Sequence, residues 1–74
     1  MGKLKLLSAK AVCQILSEYG FFEVRQRGSH IIMQKKSDHS TITVPVPNHK
    51  EIRIGTLQSI IRQSGIPKKR FEEE

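Results

Sequence analysis

Phe21-Phe22-Glu23-Val24-Arg25-Gln26-Arg27-Gly28-Ser29-His30-Ile31-Ile32-Met33-Gln34 is the segment from which the rest of the chain can be laid out. From Phe21 to Arg27, the residues Phe22, Val24 and Gln26 alternate with Phe21, Glu23, Arg25 and Arg27, the two-residue period of a half-buried strand. Gly28-Ser29 breaks that period with a turn, because glycine takes a positive φ without a Cβ clash. His30 to Gln34 then reads as a second strand with apolar residues on both faces, so the pattern leaves open which face His30 shares. The segment predicts a hairpin whose second strand opens on a histidine.

Toward the N-terminus the period changes to that of a helix. Ser8 suits an N-cap, Ala9, Val12, Cys13, Leu16 and Tyr19 form an apolar stripe, and Gly20 stands where a left-handed cap is wanted. Lys10, Gln14, Ser17 and Glu18 fall on the other side. Toward the C-terminus, Lys35 to Ser40 is polar and turn-rich, hence a loop. Thr41 to Pro47 alternates again, with Ile42, Val44 and Val46 on one face. Pro45 has no ladder donor, which predicts a sheet edge or a bulge there. Asn48 to Glu51 is a polar connection. Gly55-Thr56 opens a second helix with Leu57, Ile60 and Ile61 as its stripe, and Gly65 and Pro67 end it. Lys68 to Phe71 reads as a last short turn anchored by Phe71, and Glu72 to Glu74 as a fraying acidic tail. The fold class expected is α+β in the order α-β-β-β-α, two helices packed on one face of a three-stranded antiparallel sheet. One domain over 1–74 is expected, with its core at about 7–71.

Composition narrows the chemistry. A chain of 74 residues has no room for a dinucleotide cofactor or an elaborate cavity, so any reaction must run at the surface with few groups. A single cysteine, Cys13, excludes an intramolecular disulfide and points to a reducing cytoplasm. It lies on the apolar stripe and reads as a small buried hydrophobe, not a nucleophile. No apolar run approaches the roughly 20 residues of a membrane span, and the opening Met1 to Leu7 is too short in apolar content for a secretory signal. Position 6 is Leu, so Gly2 does not begin a myristoylation motif. Residues 1–71 hold all 13 Lys and Arg against four acidic residues, and the last three glutamates bring the net charge to +6. A body this basic favours an anionic partner, nucleic acid first, with simple solubility as the plainer reading.

Histidine exchanges protons near neutrality, and RNA carries its own nucleophile in the 2′-hydroxyl. His30 in a turn-proximal position therefore suits a general base that lets that hydroxyl attack the adjacent phosphorus. Arg25, Arg27, Lys35 and Lys36 flank it in sequence, and with Lys50 and Arg53 they form a candidate phosphate-binding ring. On residue type alone, a surface histidine that fills a strand position or only binds phosphate stands beside this reading. The ligand spacings that hold zinc or magnesium are missing from Cys13, His30, His39, His49 and the acids, so no metal and no cofactor is expected. Nothing relates Ser29 or Ser40 to Asp38 as a triad. Four aromatic residues, placed among apolar ones, are too few for a base-stacking platform, which favours backbone and shape contacts with RNA.

Gly20-Phe21-Phe22, Arg25-Gln26-Arg27-Gly28-Ser29-His30, Thr43-Val44-Pro45-Val46-Pro47 and Ile54-Gly55-Thr56-Leu57-Gln58-Ser59-Ile60-Ile61-Arg62-Gln63-Ser64-Gly65 together resemble the HicA toxins, over about residues 7 to 71. The resemblance implies a double-stranded-RNA-binding-like fold. It implies an mRNA interferase of a bacterial type II toxin–antitoxin system, acting on mRNA and held inactive by a HicB-type antitoxin. It implies that His30 of the Gly28-Ser29-His30 motif is the catalytic histidine. The RNA-binding set expected from the residues around that motif is Arg25, Arg27, Gly28, Ser29, Lys35, Lys36, Lys50 and Arg53. The residue after the motif, often polar or aromatic in the family, is Ile31 here. A monomer when free, in the cytoplasm and away from membranes, is expected. A non-catalytic RNA-binding module using the same patch is the alternative, and a protein whose sole partner is the antitoxin is a third.

Overall fold

In a computed structural model, which describes residues 3–72, the chain begins its regular structure with helix α1, Ala9–Glu18. Ser8 caps it in extended backbone, its Oγ accepting the Ala11 N–H at 3.1 Å. The helix ends in a reciprocal pair of bonds. Gly20 N–H donates to the Ser17 carbonyl at 3.1 Å and Phe21 N–H to the Leu16 carbonyl at 3.1 Å, with Gly20 at φ +94. This is the Schellman arrangement, and its accompanying apolar contact is supplied by Phe21 and Leu16, both in the core.

Strands β1 (Phe22–Arg27), β2 (His30–Lys36) and β3 (Thr41–Pro47) form an antiparallel sheet in the order β1-β2-β3. β2 pairs with β3 without interruption, from His30 opposite Pro47 to Lys36 opposite Thr41. The prolines sit at a free edge, not at a bulge. Asn48 N–H reaches back to the Ser29 carbonyl at 2.7 Å, and N–H groups alternate in direction along a strand. Positions 45 and 47 therefore face away from β2, where a missing donor costs no ladder bond. The irregularity lies instead in β1, between Glu23 and Arg25.

Helix α2, Ile54–Ser64, ends at Gly65 with φ +72. It lies against β3, while α1 reaches β1 and β3. The two helices cover one face of the sheet, as expected, and the core between the layers holds Val12, Leu16, Met33, Val44, Val46, Leu57 and Ile60. Two boundaries and two exposures depart from the sequence reading. β2 runs two residues further, through Lys36, so the loop is confined to 37–40. β1 is exposed along its whole length, its register setting the polar Glu23 and Gln26 opposite Met33 and Ile31; only Phe21, just before it, is buried. Cys13 is half-buried where full burial was expected. Glu72 does not fray: it forms an antiparallel bridge with Leu4, beside a bond from Lys5 N–H to the Phe71 carbonyl at 2.9 Å. Phe71 itself is fully buried in a 3₁₀ turn over Lys68–Phe71. Glu73 and Glu74 lie outside the described residues.

Candidate functional site

Cross-strand partners share a face, so the register sorts the sheet into two sides. Ile31, Met33, Ile42, Val44 and Val46 lie on the helix-covered side, with Glu23, Gln26 and Lys35 beside them. The open side carries His30, Arg27, Arg25, Ile32, Gln34, Lys36, Phe22, Pro45 and Pro47. The bulge in β1 determines this grouping. Strict alternation would set Phe22 opposite in face to Arg25 and Arg27, whereas the slip at Val24 brings all three to the open side. His30 is therefore on the uncovered face, exposed, with Arg27 directly across from it and Arg25 one pair further along. Phe22, read from sequence as sharing a face with Val24 and Gln26 in a half-buried strand, stands 48% exposed on that same side.

The hairpin tip is held from two directions. Gly28 has φ +59 and no residue other than glycine has a positive φ among those described, the combination a type II′ turn needs at its first central position. The Asn48 bond to Ser29 ties the turn to the loop after β3. That loop is itself pinned: His49 N–H donates to the Pro47 carbonyl at 2.9 Å, Ala9 N–H to the His49 carbonyl at 2.9 Å, and Ile52 N–H to the Leu7 carbonyl at 2.7 Å. Lys50 and Arg53, both exposed, thus sit on an anchored segment at the His30 end of the sheet. Arg53 occupies the cap position of α2 and makes no side-chain cap bond.

The expected cationic ring divides into two groups. Arg25, Arg27, Lys50 and Arg53 belong to the His30 end, but Lys35 and Lys36 do not. They stand five and six residues along β2, roughly 16–20 Å away at the rise of an extended strand. Lys35 is also half-buried on the helix-covered side, with its Nζ 5.8 Å from the centre of the Phe21 ring. Sequence neighbours on a strand separate quickly in space, which is why flanking in sequence misled here. His39 lies in the 37–40 loop, also at the far end. Sequence reading weighed His49 only as a metal ligand and set Asn48 in a polar connection; their nearness to the hairpin turn is visible only once β3 is paired with β2.

Burial pushes the Cys13 thiol above its ordinary range, and the nearby Glu23 carboxylate pushes it the same way. Both effects oppose thiolate formation, so this sulfur is a poor nucleophile. Among the described residues no three of His, Cys, Asp and Glu stand together as a group able to hold a metal ion. None of the described helices is long and apolar enough to cross a membrane.

A family model described as the HicA toxin of bacterial toxin–antitoxin systems matches residues 9–66. Comparisons with curated proteins and with solved structures gave no match. The matched span runs from the start of α1 past the end of α2 and takes in the hairpin, the turn and the pinned loop. The chain belongs to the HicA toxin family: it is the toxin of a toxin–antitoxin pair, and the family implies an antitoxin partner.

Proposed function

We propose that this toxin is an endoribonuclease acting on mRNA, with His30 as the general base. The observation that carries the reading is an exposed imidazole on the open sheet face, at the end of a two-residue turn hydrogen-bonded to Asn48, directly across from a guanidinium. A hydrogen-bonded cross-strand pair next to such a turn has Cα atoms about 5.5 Å apart, so one phosphodiester can touch both side chains. In the proposed step, a ring nitrogen of His30 takes the proton from a ribose 2′-hydroxyl. The oxygen attacks the adjacent phosphorus, and Arg27 and Arg25 stabilise the charge that builds on the phosphoryl oxygens. RNA supplies the nucleophile, so the step requires no metal. Lys50 and Arg53 hold the strand at the same end, and Lys36 extends the track along the open face. Gly28 and Ser29 contribute the turn that aims the histidine. A HicB-type antitoxin neutralises the activity, and the substrate locates the toxin in the cytoplasm.

The test is cleavage of RNA by the purified chain in EDTA. His30→Ala should abolish cutting while leaving the thermal transition within about 0.5 kcal/mol of wild type, since the side chain is exposed. Cutting by His30→Ala at the wild-type rate removes His30 as the base. Salt-sensitive binding with no cutting by the wild-type chain favours the RNA-binding module instead.

A further inference from the structure

We propose that His49 is the general acid that protonates the leaving 5′-oxygen, so that two histidines flank the scissile phosphate. The inference rests on the ribonuclease reading of His30 and deepens it. A lone base leaves the departing ribose oxygen to take its proton from water, whereas a positioned acid accelerates that departure. The donor must hold a proton near neutrality and also release it, which suits an imidazolium better than an ammonium or guanidinium.

The chain has three histidines, and the fold separates them. His39 follows Lys36 in the loop at one end of β2, and His30 opens the strand at the other. His49 comes two residues after Pro47, the cross-strand partner of His30. With a pair separation of about 5 Å and at most 7.6 Å for two further residues, the Cα atoms of His30 and His49 stand within about 13 Å. Ring nitrogens hydrogen-bonded to the attacking and leaving oxygens, on opposite sides of one phosphorus, stand roughly 6–9 Å apart. The span is therefore compatible with one phosphate between two rings. The side chain of His49 is exposed, while its backbone is fixed through its own N–H to Pro47 and through its carbonyl to Ala9 at the start of α1. An anchored backbone limits how far the ring must travel to meet a bound phosphate.

The chemistry balances without a co-reactant. His30 accepts the 2′-hydroxyl proton as the 2′-oxygen–phosphorus bond forms. The bond from phosphorus to the 5′-oxygen breaks, and that oxygen keeps the electron pair and takes a proton from His49. The products are a 2′,3′-cyclic phosphate and a free 5′-hydroxyl, and proton exchange with water restores both rings.

The test uses a substrate that needs no acid. The cleaved bond is first mapped in natural RNA, and an oligonucleotide is made with sulfur in place of the 5′-oxygen at that bond, so that a thiolate leaves unaided. Single-turnover rates are compared for the wild type, His49→Ala, His49→Gln and His30→Ala, with folding checked by circular dichroism. Both His49 variants should fall about 100-fold or more on natural RNA and recover to within about threefold of wild type on the thio linkage. His30→Ala should stay slow on both. A wild-type rate on natural RNA for either His49 variant, or an equal loss on the two linkages, overturns the assignment; equal loss would make His49 a support of the loop. Full activity of His30→Ala on both substrates defeats the His30 reading, and the comparison of linkages still reports on His49 separately.

Discussion

Gly28 and Gly55 offer a paired test of what holds the hairpin that carries His30. A Cβ added at either glycine meets nothing within 4 Å, so space does not distinguish them. Backbone conformation does: Gly28 has φ +59, while Gly55 lies in the first turn of α2 with no positive φ. For an L-residue this positive-φ turn position costs about 1–3 kcal/mol, offset in part by about 0.4–1 kcal/mol from the less flexible unfolded chain. Gly28→Ala should therefore destabilise by about 1 kcal/mol, and Gly55→Ala should stabilise by about 0.5 kcal/mol. For a domain of this size these become a fall of about 4–8 °C and a rise of about 2–4 °C in Tm. Thermal and urea unfolding followed by far-ultraviolet circular dichroism in one buffer would read both. A chemically synthesised chain with D-alanine at position 28 should regain the loss, because a D-residue prefers positive φ. Equal Tm shifts for the two L-alanine variants, or a D-alanine chain no more stable than the L-alanine one, would refute the turn argument.

Three further outcomes follow from the same geometry. In RNA titrations with the cutting-deficient His30→Ala background, Arg25→Gln and Arg27→Gln should each flatten the slope of log affinity against log salt by about 0.7 for each phosphate no longer neutralised. Lys35→Gln, on the covered side, should leave the slope unchanged, and equal flattening by Lys35→Gln would count against the division of the cations. Cys13 should react with iodoacetamide at pH 8 more slowly than the unfolded chain, and Glu23→Gln should speed it modestly. Because folding raises this pKa, the unfolded state ionises first, so Cys13 subtracts stability as pH climbs past the unfolded thiol's range and has no effect below it. Phe71→Ala should cost about 3–5 kcal/mol in urea unfolding, since the ring is fully buried and its carbonyl holds Lys5; a loss under about 1 kcal/mol would mean the C-terminal turn is not part of the cooperative unit.

The helix from Ser8 to Gly20, the hairpin turn at Gly28 and the edge character of Pro45 were legible because each rests on local chemistry. A cap hydroxyl, a residue free to take positive φ and a missing donor act within a few residues of themselves. The apolar spacing of Ile42, Val44 and Val46 likewise named the buried face of β3 without any partner in view. The basic ring failed for the opposite reason. Arg27 and Lys36 both neighbour His30 in the chain, yet an extended strand carries each residue about 3.3 Å from the last, and only strand pairing says which ones return.

Local chemistry thus specified the elements and their order, because capping, periodicity and turn preference are properties of short segments. The face of His30, the exposure of Phe22 and the meeting of the Gly28-Ser29 turn with the loop of His49 came from long-range pairing. A single bulge at Val24 reverses the parity of β1, and a bond from Asn48 to Ser29 joins segments nineteen residues apart. Neither leaves a mark in any window of sequence, since both depend on which strand lies alongside.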